Sequence, residues 1–423
     1  MEPLDKLSLK ELLDLNSAVQ EELTRRIQEL SEENIKLQQD TMIIQDNHDV
    51  SVVTDNQTKI AKNPSWIKTG KLKATANRFL FRSTESDPVC SKRMAHRDIV
   101  WDVRWNPSSE KRNLFASASA DRTAKLWRLD NESKNANPLM VYSGHSGSVN
   151  SVRFHPTQSL MCTTSGDRTC HIWKPLDVPN PPKLSLEEDG ESLHHSSSRR
   201  RLSIDLPVLN KPLAKLISHQ GHVMVGEWSC DGSQVISGSQ DTTIKLWDMS
   251  DWTKPVLTLT GHDGTVTSIA PSPSNKNVFC SSSQDQTIRL WDTRTSSFML
   301  SVLHGHEKSV SYVIFDKQNP SLLISGSDDC TVKIWDWRTK QCLTTIHTSY
   351  VMNHFCQSPE EEMLCLPSRN ASAEIYSSQG DPLMILSGMG NGHNKMIWAC
   401  DWNENGILTA GLDRSICLWE VRP

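Results

Sequence analysis

Residues 237–247 read SGSQDTTIKLW, and the phrase recurs as SASADRTAKLW at 117–127, TTSGDRTCHIW at 163–173, SSSQDQTIRLW at 281–291, SGSDDCTVKIW at 325–335 and TAGLDRSICLW at 409–419. Each copy carries Ser or Thr ten positions before a Trp and Asp six positions before it. Between Trp335 and Trp419 the same register falls on Leu366, Asn370 and Tyr376, a degenerate copy that brings the number to seven. From Trp247 onward the copies are spaced by 44, 44, 41 and 43 residues. A period of roughly 40–45 residues fits one four-stranded β unit, which buries its faces only against neighbouring units. The fold class that follows is all-β, a seven-bladed β-propeller.

A histidine can be placed upstream of each phrase. His145, His219, His262, His306, His347 and His393 each stand four residues before an aliphatic residue, and His96 opens the first blade. In the third blade Gly221-His222 competes, but His219 keeps the 22-residue spacing to Asp241 that His145 keeps to Asp167. These residue types form a buried chain in which the indole donates to the hydroxyl, the hydroxyl to the imidazole, and the other imidazole nitrogen to the carboxylate. The assignment is Trp127, Ser117, His96 and Asp121 in blade one, and Trp173, Thr163, His145 and Asp167 in blade two. Blades three to five take Trp247, Ser237, His219, Asp241; Trp291, Ser281, His262, Asp285; and Trp335, Ser325, His306, Asp329. Blade seven takes Trp419, Thr409, His393 and Asp413. Ser, His and Asp together would suggest a hydrolase triad, but sixfold recurrence beside a Trp marks a structural tetrad. With no phosphate loop, metal-ligand spacing or nucleophile elbow, no enzyme is expected and no catalytic, cofactor-binding or metal residue is assigned.

The repeat divides the chain. Residues 4–45 set Leu23, Ile27, Leu30, Leu37 and Ile44 in alternating steps of four and three, with Asn34 and Thr41 at the remaining core positions. This heptad predicts a coiled-coil helix, either a parallel homodimer or one that coils with a partner; an amphipathic helix lying on the propeller is the alternative. Residues 46–78 are polar and aperiodic, a flexible linker. The propeller is expected over 79–423. One interval, Trp173 to Trp247, is 74 residues long, and its excess at 176–210 carries PNPP, an acidic run and Arg199-Arg200-Arg201. That composition reads as a disordered insertion between the third and fourth strands of blade two, with Leu213 to Ile217 supplying the outer strand. Because Trp419 is followed by only four residues, the outer strand of blade seven is expected from residues between Phe79 and Cys90.

Composition narrows the function classes. Eleven cysteines, an odd number with no C-x-x-C, include Cys162, Cys280 and Cys365 at one repeat position, where they read as small apolar core residues. A net charge of −5 gives no electrostatic bias toward nucleic acid. No apolar run reaches the roughly 18 residues of a membrane helix. The expected location is the cytoplasm, with the nucleus as a second compartment.

The heptad ending LSEEN at 30–34, SHQG at 218–221, LTGHD at 259–263, GHNKM at 392–396 and the insertion after blade two accompany the repeat. Together they resemble the WD40-repeat propeller family, and within it members that join such a heptad to the propeller; the likeness covers most of the chain. The resemblance implies a non-enzymatic scaffold in a complex with a phosphofurin acidic cluster sorting-type adaptor.

Three surface features complete the reading. Arg122, Arg168 and Arg414 follow the blade Asp in the consecutive blades one, two and seven, an arc suited to an acidic peptide or phosphogroup, although D-R-T is also an ordinary repeat turn. Trp291-Asp292-Thr293-Arg294 and Trp335-Asp336-Trp337-Arg338 resemble the WDxR box of cullin-ligase substrate receptors, with Arg294 and Arg338 in the docking role; this receptor is the alternative function. Arg200-Arg201-Leu202-Ser203 fits a basophilic kinase site at Ser203.

Overall fold

The structure, a computed structural model, describes residues 89–108, 111–130, 132–176, 206–387 and 392–420. The heptad at 4–45, the linker at 46–78 and Ser203 lie outside the described residues. The described chain forms seven sheets, each built around a four-stranded antiparallel meander.

Blade one runs outward from the axis through Val100–Trp105, Leu114–Ser119, Ala124–Leu129 and Ala136–Tyr142. Blade two uses Val149–Phe154, Met161–Ser165, Thr169–Trp173 and Ala214–Ile217; blade three uses Val223–Trp228, Gln234–Ser239, Ile244–Asp248 and Leu257–Leu259. Blade four uses Val266–Pro271, Val278–Ser283, Ile288–Asp292 and Met299–Leu303; blade five uses Val310–Phe315, Leu322–Ser327, Thr331–Asp336 and Gln341–His347. Blade six has Cys356–Gln357, Met363–Pro367, Ala373–Ser377 and Pro382–Leu386. Blade seven has Ile397–Asn403, Gly406–Gly411 and Ser415–Glu420, and takes its outer strand from Val89–Met94.

The second strands are buried on both faces, as in Val278–Ser283 and Gly406–Gly411, because each blade is sandwiched between two others. This is why they lack the alternation of a half-exposed strand. The outer strands face solvent; six of the seven residues of Gln341–His347 are exposed or partly so, while Ile346 points inward. Apolar clusters cross every junction. Val103, Phe115 and Trp127 of blade one pack with Leu408 and Leu418 of blade seven, which closes the ring.

Two boundaries differ from the sequence reading. Among the described residues the closing strand is Val89–Met94, with Cys90 opposite Trp419 and Met94 opposite Ser415, so it runs four residues beyond the expected limit at Cys90, while residues 79–88 lie outside the described residues. In blades one to four the outer strand ends two or three residues before the next tetrad histidine, and the same rule counted back from His96 fixes this one. The second difference is in the span 176–210. Its Val208–Leu209 adds a short parallel strand to the open edge of blade one, with Val141 N donating to Pro207 O at 2.9 Å and Ser143 N to Leu209 O at 2.8 Å. Ala214–Ile217 then pairs with Thr169–Trp173 as the outer strand of blade two.

The inner strands carry a charged web across the axis. Asp102 of blade one accepts from Arg153 of blade two and pairs with Arg104 at 3.2 Å. Arg153 also bonds Glu227 of blade three, and Arg104 donates to the Tyr312 hydroxyl of blade five. Asp401 of blade seven accepts from Trp105 N at 2.8 Å. Burial pushes the Asp102 carboxyl up, but the Arg153 and Arg104 guanidinium groups hold it below the usual range. Removing one partner of a buried pair leaves the other charge uncompensated, at about 3–5 kcal/mol, whereas an exposed pair contributes about 0–1 kcal/mol. Asp102→Ala should therefore lower the urea unfolding free energy by about 3–5 kcal/mol. Glu404→Ala, which breaks the half-exposed Arg112–Glu404 pair, should change it by less than about 1 kcal/mol.

Candidate functional site: the tetrads and the loop face they hold

Six blades carry a closed hydrogen-bond chain from core to surface. In blade one Trp127 Nε1 donates to Ser117 Oγ at 2.8 Å, Ser117 Oγ lies 2.7 Å from His96 Nε2, and His96 Nδ1 lies 2.9 Å from Asp121 Oδ2. Indole nitrogen is only a donor and carboxylate only an acceptor, so the order is forced: the hydroxyl donates to Nε2 and Nδ1–H donates to Asp.

The other five follow suit. The indole-to-hydroxyl distances are 3.3 Å for Trp173–Thr163, 2.9 Å for Trp247–Ser237, and 2.8 Å for Trp291–Ser281, Trp335–Ser325 and Trp419–Thr409. The hydroxyl-to-imidazole contacts from His145, His219, His262, His306 and His393 span 2.8–3.0 Å. Their contacts to Asp167, Asp241, Asp285, Asp329 and Asp413 span 2.7–2.9 Å.

Each carboxylate is saturated further. The residue after the histidine donates its backbone N–H to Asp, as Arg97 does to Asp121 at 3.0 Å and Gln220 to Asp241 at 2.8 Å. The hydroxyl two positions after Asp donates as well, at 2.6 Å from Thr123, Thr169, Thr243, Thr287 and Thr331. This role was missed in the sequence reading, although the hydroxyl recurs in every copy. The chain thus pins the loop entering each blade to the turn between its second and third strands.

Blade six has no such chain. His347 is exposed at the end of the outer strand of blade five, and Asn370 donates instead to the Tyr350 hydroxyl. Phe355, Leu366 and Tyr376 fill the space with apolar contact.

The face made by these loops and turns carries the three arginines. Arg122, Arg168 and Arg414 are exposed, each at positive φ (69°, 70° and 66°). Thr242, Gln286, Cys330 and Ala371 occupy the same position at φ 62–70°, so the turn demands a left-handed residue and does not itself select arginine. Exposed Arg97 and Lys395 join them on blades one and seven, against a single exposed acid there, Asp98. Over blades four and five the corresponding loops carry Asp263, Glu307, Lys308 and Asp328. The face is polarised, cationic at blades seven, one and two. At the channel mouth Trp101 and Trp398 meet edge to face at 4.9 Å between two of the cationic blades.

Arg294 and Arg338 lie at the opposite end of their blades, in the turns between third and fourth strands. Arg294 is engaged bidentately by its own Asp292, at 2.9 and 2.7 Å, and Arg338 lies over Trp337 at 5.7 Å. On that side a cleft of about 580 Å³ opens between blades one and two, lined by Lys111, Arg128, His155 and Leu176 among others. His155 is fully engaged there, Nδ1 accepting from Thr157 N and Gln158 N and Nε2 lying 3.1 Å from Gly232 O.

The spacing of the cysteines gave no metal site, yet the fold gathers three of them. Cys356, Cys365 and Cys400 are buried with their sulfur atoms within 4.8 Å of one another. His145, Asp167 and His171 also converge. There Tyr142 OH lies 2.7 Å from His171 Nδ1, and His145 uses both nitrogens in its tetrad.

The repeats match the WD domain, G-beta repeat model at residues 88–128, 136–174, 210–248, 253–292, 298–336 and 380–420, and the chain belongs to that family. Within it, the chain is similar to WD repeat-containing protein 37 of Xenopus tropicalis, 31% identical over 341 residues that cover 78% of this chain and 67% of the relative. The Homo sapiens protein of that name is 30% identical over 341 residues, with the same coverage of 78% and 67%. In fold, the WD40 β-propeller domain of Doa1 superposes with a TM-score of 0.61 over 78% of this chain and 96% of that one, at 22% identity.

Two outcomes follow from the tetrads. Ser237→Ala leaves the buried Trp247 N–H and His219 Nε2 without their partner, and should cost about 1–3 kcal/mol in urea unfolding. The second concerns acid. Burial alone would raise the tetrad carboxyls, but donation from His, hydroxyl and backbone N–H holds Asp121, Asp167, Asp241, Asp285 and Asp413 well below the usual range and Asp329 down to about 2. Burial also lowers His96 and His306, and brings His171 and His354 down to about 3. In every case the unfolded chain binds the proton more readily, so stability is lost as pH falls. The urea midpoint should start to drop below about pH 6.5 as unfolded histidines charge, and drop more steeply below about pH 4 as unfolded carboxylates protonate. A midpoint that rises between pH 7 and pH 5 would contradict this assignment.

Proposed function

We propose that the chain is a non-enzymatic interaction scaffold whose propeller holds an acidic segment of a protein partner across the loop face of blades seven, one and two. The observation that carries the reading is the coincidence there of Arg97, Arg122, Arg168, Lys395 and Arg414 with the Trp101–Trp398 pair. Cations steer and orient an acidic chain, while a half-buried aromatic pair offers the apolar anchor on which interface affinity concentrates. Similarity to WD repeat-containing protein 37 is what favours a partner of the sorting-adaptor type, which the resemblance implies. The heptad at 4–45 is the second contact in this proposal, as a homodimer or with a partner helix, in the cytoplasm or nucleus. The cullin-ligase receptor is less favoured, because the Arg294 guanidinium already pairs with Asp292.

Asn tolerates the left-handed turn, so Arg122→Asn/Arg168→Asn/Arg414→Asn removes the charge without straining the fold. With a fluorescent peptide of alternating Glu and phosphoserine, the triple variant should bind at least about tenfold more weakly, and binding to the unaltered protein should weaken as salt rises. Equal affinity in the two proteins would overturn the assignment of this face. In cells, co-purification of a cullin-ligase adaptor that Arg294→Ala/Arg338→Ala abolishes would favour the receptor instead.

A further inference from the structure

The junction between blades six and seven departs from the other six in its chemistry. Cys356 and Cys365 are register partners on the two innermost strands of blade six. The equivalent pairs are Arg104–Ala116, Arg153–Cys162, Glu227–Ile236, Ala270–Cys280, Ile314–Ile324 and Asp401–Leu408. Cys400, on the inner strand of blade seven, stands opposite the tetrad hydroxyl of Thr409, where the other intact blades place Val103, Val152, Gly226, Ile269 and Val313. No other junction assembles more than one sulfur from these positions, so the packing role of the site is met elsewhere without a group of thiols.

At this junction the sulfurs meet. Cys400 Sγ lies 3.1 Å from Cys356 Sγ and 3.4 Å from the Cys365 carbonyl oxygen, and all three sulfurs fall within 4.8 Å of one another. Metal–thiolate bonds of about 2.3 Å in a trigonal plane place sulfurs about 4 Å apart, inside the observed spread. The shell is apolar, with Met363, Ile375, Ile397 and Trp419 in the same cluster.

We propose that Cys356, Cys365 and Cys400 form a binding site for one soft monovalent ion, Cu(I), between blades six and seven. Soft thiolate sets select Cu(I) or Zn(II), and structural zinc sites are closed by four protein ligands. Among the described residues no fourth His, Cys, Asp or Glu joins the three, and the buried side chains of the surrounding cluster are apolar. Three coordination therefore favours the monovalent ion. Each thiol that becomes a ligand gives its proton to solvent as its Cu–S bond forms, and no electron moves because copper is monovalent before and after. The three thiols are buried, so an ion reaches them by local opening of blade six, which lacks a tetrad and has an inner strand of two residues.

The test is an anaerobic titration of the full-length protein with Cu(I), in reductant, against a chromophoric Cu(I) chelator. A single equivalent should be withheld from the chelator, with a near-ultraviolet thiolate-to-copper absorption. Cys356→Ala/Cys365→Ala/Cys400→Val uses residues that Ala270, Ala116 and Val152 supply at the same places in other blades. It should keep the circular dichroism spectrum and lose copper affinity by more than about tenfold. As a readout independent of the variant, copper loading should slow alkylation of Cys356, Cys365 and Cys400 but not of Cys162 and Cys280. Equal copper retention by the triple variant, preferential retention of Zn(II), or unchanged alkylation at the three cysteines would overturn the proposal.

Discussion

The propeller depends on a buried polar chain that can be satisfied in one arrangement only. Trp at one end can only donate and Asp at the other can only accept, so the hydroxyl and imidazole between them are fixed in direction. The chain ties the third strand, the second strand and the loop entering the blade to one point; breaking it orphans buried groups, and where the histidine is lost the Asp carboxylate loses a donor. Apolar packing gives each blade adhesion to its neighbours, while the tetrad gives it a defined angle between loop and turn. A left-handed residue follows the turn Asp in the six blades with a tetrad, and Ala371 after Asn370 shows that the turn keeps this conformation in blade six without one.

Holding the loops in register is also what makes the surface usable. A partner meets side chains whose backbone is fixed by the tetrads beneath them, so the arginines at 122, 168 and 414 are presented at equivalent positions of adjacent blades. The web of Asp102, Arg104, Arg153, Glu227 and Tyr312 does the same work along the axis, linking blades one, two, three and five. Blade six lacks a tetrad and meets the axial web through His354, which stacks on Tyr312 at 4.6 Å. It compensates with apolar packing around Phe355, Leu366 and Tyr376, and it borders the thiol cluster.

The fold is legible from the repeat because Trp, Asp and hydroxyl recur at constant spacing, and the residues at those spacings are the ones hydrogen-bonded in six blades. The thresholds of legibility are also physical. The closing strand was displaced in the sequence reading because it lies in no repeat of its own and had to be counted back from His96. Val208–Leu209 was unreadable because a two-residue parallel addition to an open edge leaves no periodic trace. The axial web and the thiol cluster join residues from different blades, at separations such as 51 between Arg153 and Asp102 and 44 between Cys400 and Cys356, which no local motif encodes. The second-strand cysteines were read as packing residues, and for Cys162 and Cys280 the structure offers nothing more, since each meets apolar neighbours. Only the ring brings Cys365 against two further sulfurs.

Hydrogen exchange of the full-length protein, resolved by blade, tests most directly whether the tetrads govern local stability. Amides in the second and third strands of blade six, 363–367 and 373–377, should exchange faster than those of blade four at 278–283 and 288–292 and of blade five at 322–327 and 331–336. Equal or greater protection in blade six would mean that interblade packing alone sets blade stability, and that the polar chain is incidental to it.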